Sequence, residues 1–154
     1  MAGELRTSVD VDAGPELVWE VLTDVPAYPQ WAPVLTGAEG TFADGGQVFL
    51  SFPPSNPLLR TRVRARVVEV IPYRRLRFGL RLARLGTPGL LDTDHTMTIV
   101  ERDAGVRLWL EIRFRGLLLP VLTRSLNRNR APAFEPVPEN LKARIERLQA
   151  TRSD

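Results

Sequence analysis

The chain has 154 residues, of which 44% are hydrophobic and 25% charged, with a formal net charge of +3. That length suits one soluble domain with a real core, and the absence of cysteine excludes disulfides, thiolate metal sites and a cysteine nucleophile. No apolar run approaches the ~18 residues that span a bilayer, and Met1–Arg6 lacks the apolar centre of a secretory signal, so a cytoplasmic protein is the expectation.

The first predicted element is a strand over Leu5–Val11, where apolar and polar residues alternate with Leu5, Thr7, Val9 and Val11 inward. Pro15 and Glu16 suit the first turn of a helix, the one needing no N–H and the other complementing the positive helix end. Leu17, Val18, Val21 and Leu22 form its apolar stripe, widened by Trp19. Three prolines, Pro26, Pro29 and Pro33, leave room for only a short second turn of helix around Tyr28 and Trp31. Val34–Phe42 reads as a strand, Asp44-Gly45-Gly46 as a hairpin turn, and Val48, Leu50 and Phe52 as the inward positions of the next strand. Pro53–Pro57 is a loop.

In Thr61–Val70, Val63, Ala65 and Val67 face one way and Arg62, Arg64 and Arg66 the other. After a turn at Pro72-Tyr73, Leu76, Phe78, Leu80 and Leu82 repeat the pattern, with Arg75, Arg77 and Arg81 outward. Nine arginines lie between Arg60 and Arg84 against one acid, Glu69, so a local basic face is expected. Beyond the turn at Gly86–Gly89, His95, Met97 and Ile99 share one face of a strand. Asp103-Ala104-Gly105 then turns the chain into a last strand with Val106, Leu108, Leu110, Ile112 and Phe114 on one face. Gly116 leads into a helical segment, Leu117–Leu126, with Leu118, Val121 and Leu122 at core spacing. Pro132, Pro136 and Pro138 break or kink that helix, and Leu141, Ile145 and Leu148 resume its stripe. Seven strands with helices against one face of the sheet make an α+β layer arrangement.

This order, and several segments within it, resemble the START-like superfamily, also described as the birch-allergen-like or polyketide cyclase and lipid-transport group. Asp12–Asp24 resembles its first strand-to-helix junction, and Tyr28–Pro33 its second short helix. Asp94–Met97 and Phe114–Leu118 resemble its last hairpin and the approach to its terminal helix. The resemblance implies a helix-grip fold, in which seven antiparallel strands curl around a C-terminal helix and leave a deep cavity. It also implies ligands of lipid, sterol, polyketide or quinone type, and no cofactor is expected from the sequence. The fold alone does not fix the function.

The inward positions available to line such a cavity are Leu50, Val63, Phe78, Leu80, Met97, Leu108, Leu110, Ile112 and Phe114, with Leu118 and Leu122 closing it from the helix. The same residues would serve equally to pack a solid core. Tyr28 and Trp31 are placed to border the cavity or stack on a ring. His95, the single histidine, is the candidate polar anchor and the one weak candidate for acid–base catalysis. No serine or acid stands at triad spacing from it. Asp92 and Asp94 have the opposite parity, which argues against zinc.

The arginine-rich strands read as a solvated face paired with Glu69, Glu111 or Asp94. No aromatic is interleaved with Arg62, Arg64 and Arg66, which argues against nucleic acid. The expectation is a binder of an apolar small molecule. The alternatives are a cofactor-free aromatase/cyclase or dehydratase, and an interaction protein using the basic face. The sequence carries no signal for oligomeric state.

Overall fold

The computed structural model describes residues 3–43, 46–54, 58–83, 87–120 and 135–153. Seven strands form one antiparallel sheet: β1 (Gly3–Val11), β2 (Gly37–Gly40), β3 (Val48–Ser51), β4 (Arg62–Ile71), β5 (Arg75–Arg81), β6 (Asp92–Glu101) and β7 (Val106–Arg115). Their spatial order is β1-β7-β6-β5-β4-β3-β2. From β2 onward each strand pairs with the next in sequence, and β1 returns to the edge beside β7, in register from Gly3↔Phe114 to Val11↔Val106. Helix α1 (Pro15–Thr23), a 3-10 helix (Val25–Gln30) and the C-terminal helix α2 (Val137–Ser153) complete the described elements. Buried side chains of all three helices join those of the strands in a single apolar cluster, so the helices share one side of the sheet.

Local chemistry accounts for the helices. Pro15 opens α1 and Glu16 lies in its first turn, while Leu17, Val18, Val21 and Leu22 are buried. Pro26 and Pro29 hold Val25–Gln30 in the tighter 3-10 form. Helix α2 starts at Val137 with Pro138 in its first turn, where the missing N–H has no helical partner to lose. Leu141 and Ile145 are fully buried, and Leu148 packs against them partly covered.

Several expectations are corrected. The strand predicted over 34–42 is only Gly37–Gly40. Val34 and Leu35 are buried ahead of it, and Gly40 ends it with φ +108. β4 does not alternate throughout: its register slips between Val67 and Glu69, which makes Val68 an extra, outward residue. Leu119, rather than Leu118, is the buried leucine after Gly116. Leu122, Val121, Pro132, Asp44-Gly45 and Ser55–Pro57 lie outside the described residues.

Gly116 is required by its position. Its φ is +134, and a Cβ there would run into the Leu90 carbonyl. Leu117 and Leu118 then donate backbone hydrogen bonds to Gly89 and Leu90 at 3.0 and 2.9 Å. The chain leaving β7 is thereby stitched to the loop that precedes β6.

Of the acids on the outer face, Glu69 pairs with an arginine of the arginine-rich strands, and Glu111 and Asp94 pair with arginines outside them. Glu69 meets Arg75 at 3.5 Å, Glu111 meets Arg6 at 3.6 Å and Asp94 meets Arg115 at 2.7 Å. Arg62 instead pairs with Glu39 and lies 4.0 Å over the Phe49 ring. Trp109 is covered by the Arg6 guanidinium, 4.4 Å from its ring centre.

Candidate ligand cavity

The strand register fixes what faces the helices. Phe78, His95 and Ile112 lie side by side across β5, β6 and β7, and Leu76, Met97 and Leu110 form the row above them. Below them lie Leu80, Thr93 and Phe114. Between these rows and the helices is a cavity of about 330 Å³, within the size range of small-molecule sites. Its wall includes Tyr28, Trp31, Leu50, Phe78, Leu80, His95, Met97, Leu110, Ile112 and Phe114.

Val63 and Leu108 are inward and fully buried but do not reach the cavity. They pack solidly against neighbouring core side chains. Leu118 is partly buried beside the core and is likewise absent from the wall.

The cavity has a mouth. Leu5 and Thr7 point to the inner side of β1 yet are exposed, Leu5 to 40%. Both line the cavity, together with Glu135, Val137 and Pro138 at the start of α2. Among the described residues, the exposed part of the wall is therefore the first half of β1 and the approach to the terminal helix.

Most of the wall surface is apolar, and its polar residues are Arg6, Thr7, Thr93, His95, Thr96, Glu111 and Glu135. His95 stacks on Phe78, with ring centres 4.8 Å apart and planes within 8°. Its Nε2 is 3.0 Å from the Thr93 hydroxyl, which reaches it because residues two apart on a strand share a face. Depending on the tautomer, either the ring N–H or the hydroxyl donates. Thr93 is the one buried polar residue of the described chain. The alternation that turns His95 inward also turns Thr93 inward, so its place was available from the pattern.

Burial without a neighbouring charge pushes the His95 pKa down from 6.5 to about 4. At neutral pH the ring is uncharged and offers one donor and one acceptor. Protein encloses His95 from every side, but the residue remains partly accessible because its inner face borders the open cavity. Because desolvation alone causes the shift, exposure of the ring to the cavity weakens the depression and an apolar occupant would deepen it.

Tyr28 contributes its ring rather than its hydroxyl. The phenol donates to the Leu22 carbonyl. Burial, reinforced by the Asp24 charge, holds its pKa far above that of a free phenol. Its ring packs on Trp31 at 4.8 Å. The Trp31 indole N–H is buried with no acceptor among the described residues. No group of three or more histidine or acidic side chains capable of holding a metal ion occurs among the described residues.

The chain belongs to the family described as polyketide cyclase / dehydrase and lipid transport, whose model matches residues 2–151. Among solved structures it resembles the Zhui aromatase/cyclase from a Streptomyces species, at 18% identity and TM-score 0.71, over 96% of this chain and 95% of that one. A START superfamily protein from Mycobacterium smegmatis matches at 18% identity and TM-score 0.63, over 94% and 98%. A norcoclaurine synthase from Thalictrum flavum matches at 9% identity and TM-score 0.68, over 97% of each chain. No curated protein sequence matches. At these identities the structural likeness establishes the helix-grip fold, with its curved seven-stranded antiparallel sheet and C-terminal helix. No described helix is long and apolar enough to cross a membrane.

Proposed function

We propose that the protein binds an uncharged, mostly apolar small molecule in the cavity beside the start of α2, with the His95–Thr93 pair receiving a single polar group of that ligand. The observation that carries this reading is the contrast within the wall. Apolar side chains from β3, β5, β6, β7 and the 3-10 helix surround one neutral hydrogen-bonding pair. Each 100 Å² of apolar ligand surface removed from water contributes about 2.5 kcal/mol, so affinity rests on burial. The polar pair sets orientation. Among the described residues the charged side chains of the wall are Arg6, Glu111 and Glu135, of which Arg6 and Glu111 pair with each other. None stands beside the His95–Thr93 pair, where an unpaired charged head group would cost several kcal/mol to bury.

An aromatase/cyclase role is the second reading, supported by the family and by His95. Against it stands the weak basicity of a ring with a pKa of about 4, since general bases work best when their pKa lies near the operating pH. No second titratable side chain hydrogen-bonds to His95 among the described residues. The test is a titration with uncharged ring compounds bearing one hydroxyl or carbonyl, followed by NMR of the single imidazole. Saturable shifts of its ring protons support the reading. Saturable binding that leaves those protons unmoved removes His95 from the site.

A further inference from the structure

The sheet has two edges, β1 and β2, and they are finished differently. β2 is four residues long, ends at Gly40 with φ +108 and packs against the 3-10 helix. β1 runs for nine residues, pairs with β7 without a register shift and contains no proline.

Helix α2 closes one half of the β1 edge. Lys142 Nζ donates to the Asp10 carbonyl at 2.8 Å, and the Asp12 N–H donates to Glu146 at 2.9 Å. These backbone groups point away from β7. In an antiparallel ladder the direction alternates from one residue to the next, so the N–H and C=O groups of Glu4, Arg6 and Ser8 point the same way. Glu4–Ser8 are all exposed, and no described residue bonds to the edge groups of Glu4, Arg6 or Ser8. An open edge of this kind is a template for another strand.

The side chains of this half say which strand fits. Glu4 and Arg6 lie on the outer face, with Leu5 between them on the inner face. Antiparallel pairing of the edge with itself about Leu5 sets Glu4 of each copy opposite Arg6 of the other, and Leu5 opposite Leu5. Pairing about Glu4 or about Arg6 would set like charges face to face, which is unfavourable. Pairing about Thr7 would oppose Glu4 to Asp10 and run into the half closed by α2. The pairing about Leu5 also extends a charge pattern already in the sheet. Asp94, Arg113 and Glu4 form one row across the outer face, with Arg113 3.9 Å from Glu4. Arg6 and Glu111 face each other in the next row, 3.6 Å apart. Joined about Leu5, the first row continues from Glu4 into Arg6 and Glu111 of the second copy, and the sign alternates at every step.

The inner face fits as well. Leu5 is 40% exposed and lines the cavity. Facing residues of a non-hydrogen-bonded pair stand about 4.5 Å apart at their Cα atoms, so Leu5 of a second copy covers the exposed side of Leu5.

We propose that the first half of β1 pairs antiparallel with the same strand of a second copy about Leu5, joining two seven-stranded sheets into one and adding the second copy's Leu5 to the cavity wall. The pairing makes about four backbone hydrogen bonds between roughly five residues of each copy, so the dimer is small and reversible. It stands whatever the cavity holds.

The experiment is sedimentation equilibrium of the full chain from about 1 to about 200 μM, with two charge variants. The wild type is expected to pass from monomer towards dimer over that range. Glu4→Arg makes both facing pairs positive and Arg6→Glu makes both negative, so each variant alone is expected to self-associate at least about tenfold more weakly. An equimolar mixture of the two variants restores opposite charges at both facing pairs. It is expected to form a heterodimer about as tight as the wild-type dimer, a recovery that damage to the fold would not give. Amide exchange supplies a second reading: the Glu4 and Arg6 N–H groups are expected to slow with rising concentration, and the Leu5 N–H, directed at β7, is not. A wild type that stays monomeric throughout would overturn the proposal and leave the edge to a strand of a different protein. A dimer that both variants leave intact, or a mixture that associates no more tightly than either variant alone, would overturn it equally.

Discussion

His95 should make this protein lose stability in a pH window of its own. Its folded pKa is about 4 against an ordinary value of 6.5. Between those values the unfolded chain binds a proton that the folded chain does not, so stability falls as pH drops from 6.5 towards 4 and levels off below. At about 1.36 kcal/mol per pH unit the full loss is at most about 3.4 kcal/mol, and less to the extent that the ring is exposed to the cavity. The depressed carboxylates act lower. Asp10, held down by Arg107 and Arg102, and Glu20, held down by Arg152, have ordinary values of 3.8 and 4.5. Their contributions are present above those values and are lost only as pH falls through them. Urea unfolding of the wild type and of His95→Gln at half-unit steps from pH 7.5 to 4.5 separates the two groups. The wild type should lose about 2–3 kcal/mol over that range and the variant less than about 1 kcal/mol. Parallel curves for the two proteins would refute the idea that a neutral, enclosed His95 is a pH liability. Because there is one histidine, the NMR titration of its ring protons gives the same answer without mutation.

Other outcomes follow from the packing. Leu110→Phe adds volume at the cavity wall and is expected to cost less than about 1 kcal/mol, whereas Leu108→Phe overfills a closed part of the core and should cost about 1–3 kcal/mol in denaturant unfolding. Gly116→Ala combines a φ of +134 with a collision against the Leu90 carbonyl and should destabilise by about 3 kcal/mol or more, read as a fall in melting temperature. Trp31→Phe deletes an indole N–H that has no acceptor among the described residues and should cost less than about 1.5 kcal/mol. Trp31→Ala, which also empties the space, should cost about 3–5 kcal/mol. Equal costs for the two Trp31 variants would show that the indole N–H is in fact satisfied.

Most of the strand framework is legible in the sequence because its physical signal is strong. β5, β6 and β7 alternate cleanly, so the inward set Phe78, Leu80, His95, Met97, Leu110, Ile112 and Phe114 follows from period two alone. What the period does not tell is whether an inward residue meets another side chain or a void. Val63, Leu108 and Leu110 look alike in sequence, but only Leu110 reaches the cavity. That difference depends on how the helices lie across the sheet, which no strand pattern records. The β4 bulge is hidden for a related reason. Val67, Val68 and Val70 are all apolar, so the sequence shows no break where the register shifts. Tyr28 shows the limit for polar groups: its ring is placed correctly, but its hydroxyl is spent on a backbone carbonyl six residues earlier. Ion pairs were the least legible. Arg62 meets Glu39 through pairing of β3 with both β2 and β4, two strands whose register only the folded sheet defines.

The central claim, an uncharged apolar small molecule held between the sheet and the start of α2, is tested most directly by native mass spectrometry of freshly purified wild type and Leu110→Trp. The wild type is expected to carry one uncharged apolar compound per chain, extractable into organic solvent, and the variant, its cavity filled by indole, to run at the mass of the bare chain. The same bound mass on both proteins, or bare chains that take up no uncharged apolar compound on addition, would contradict it.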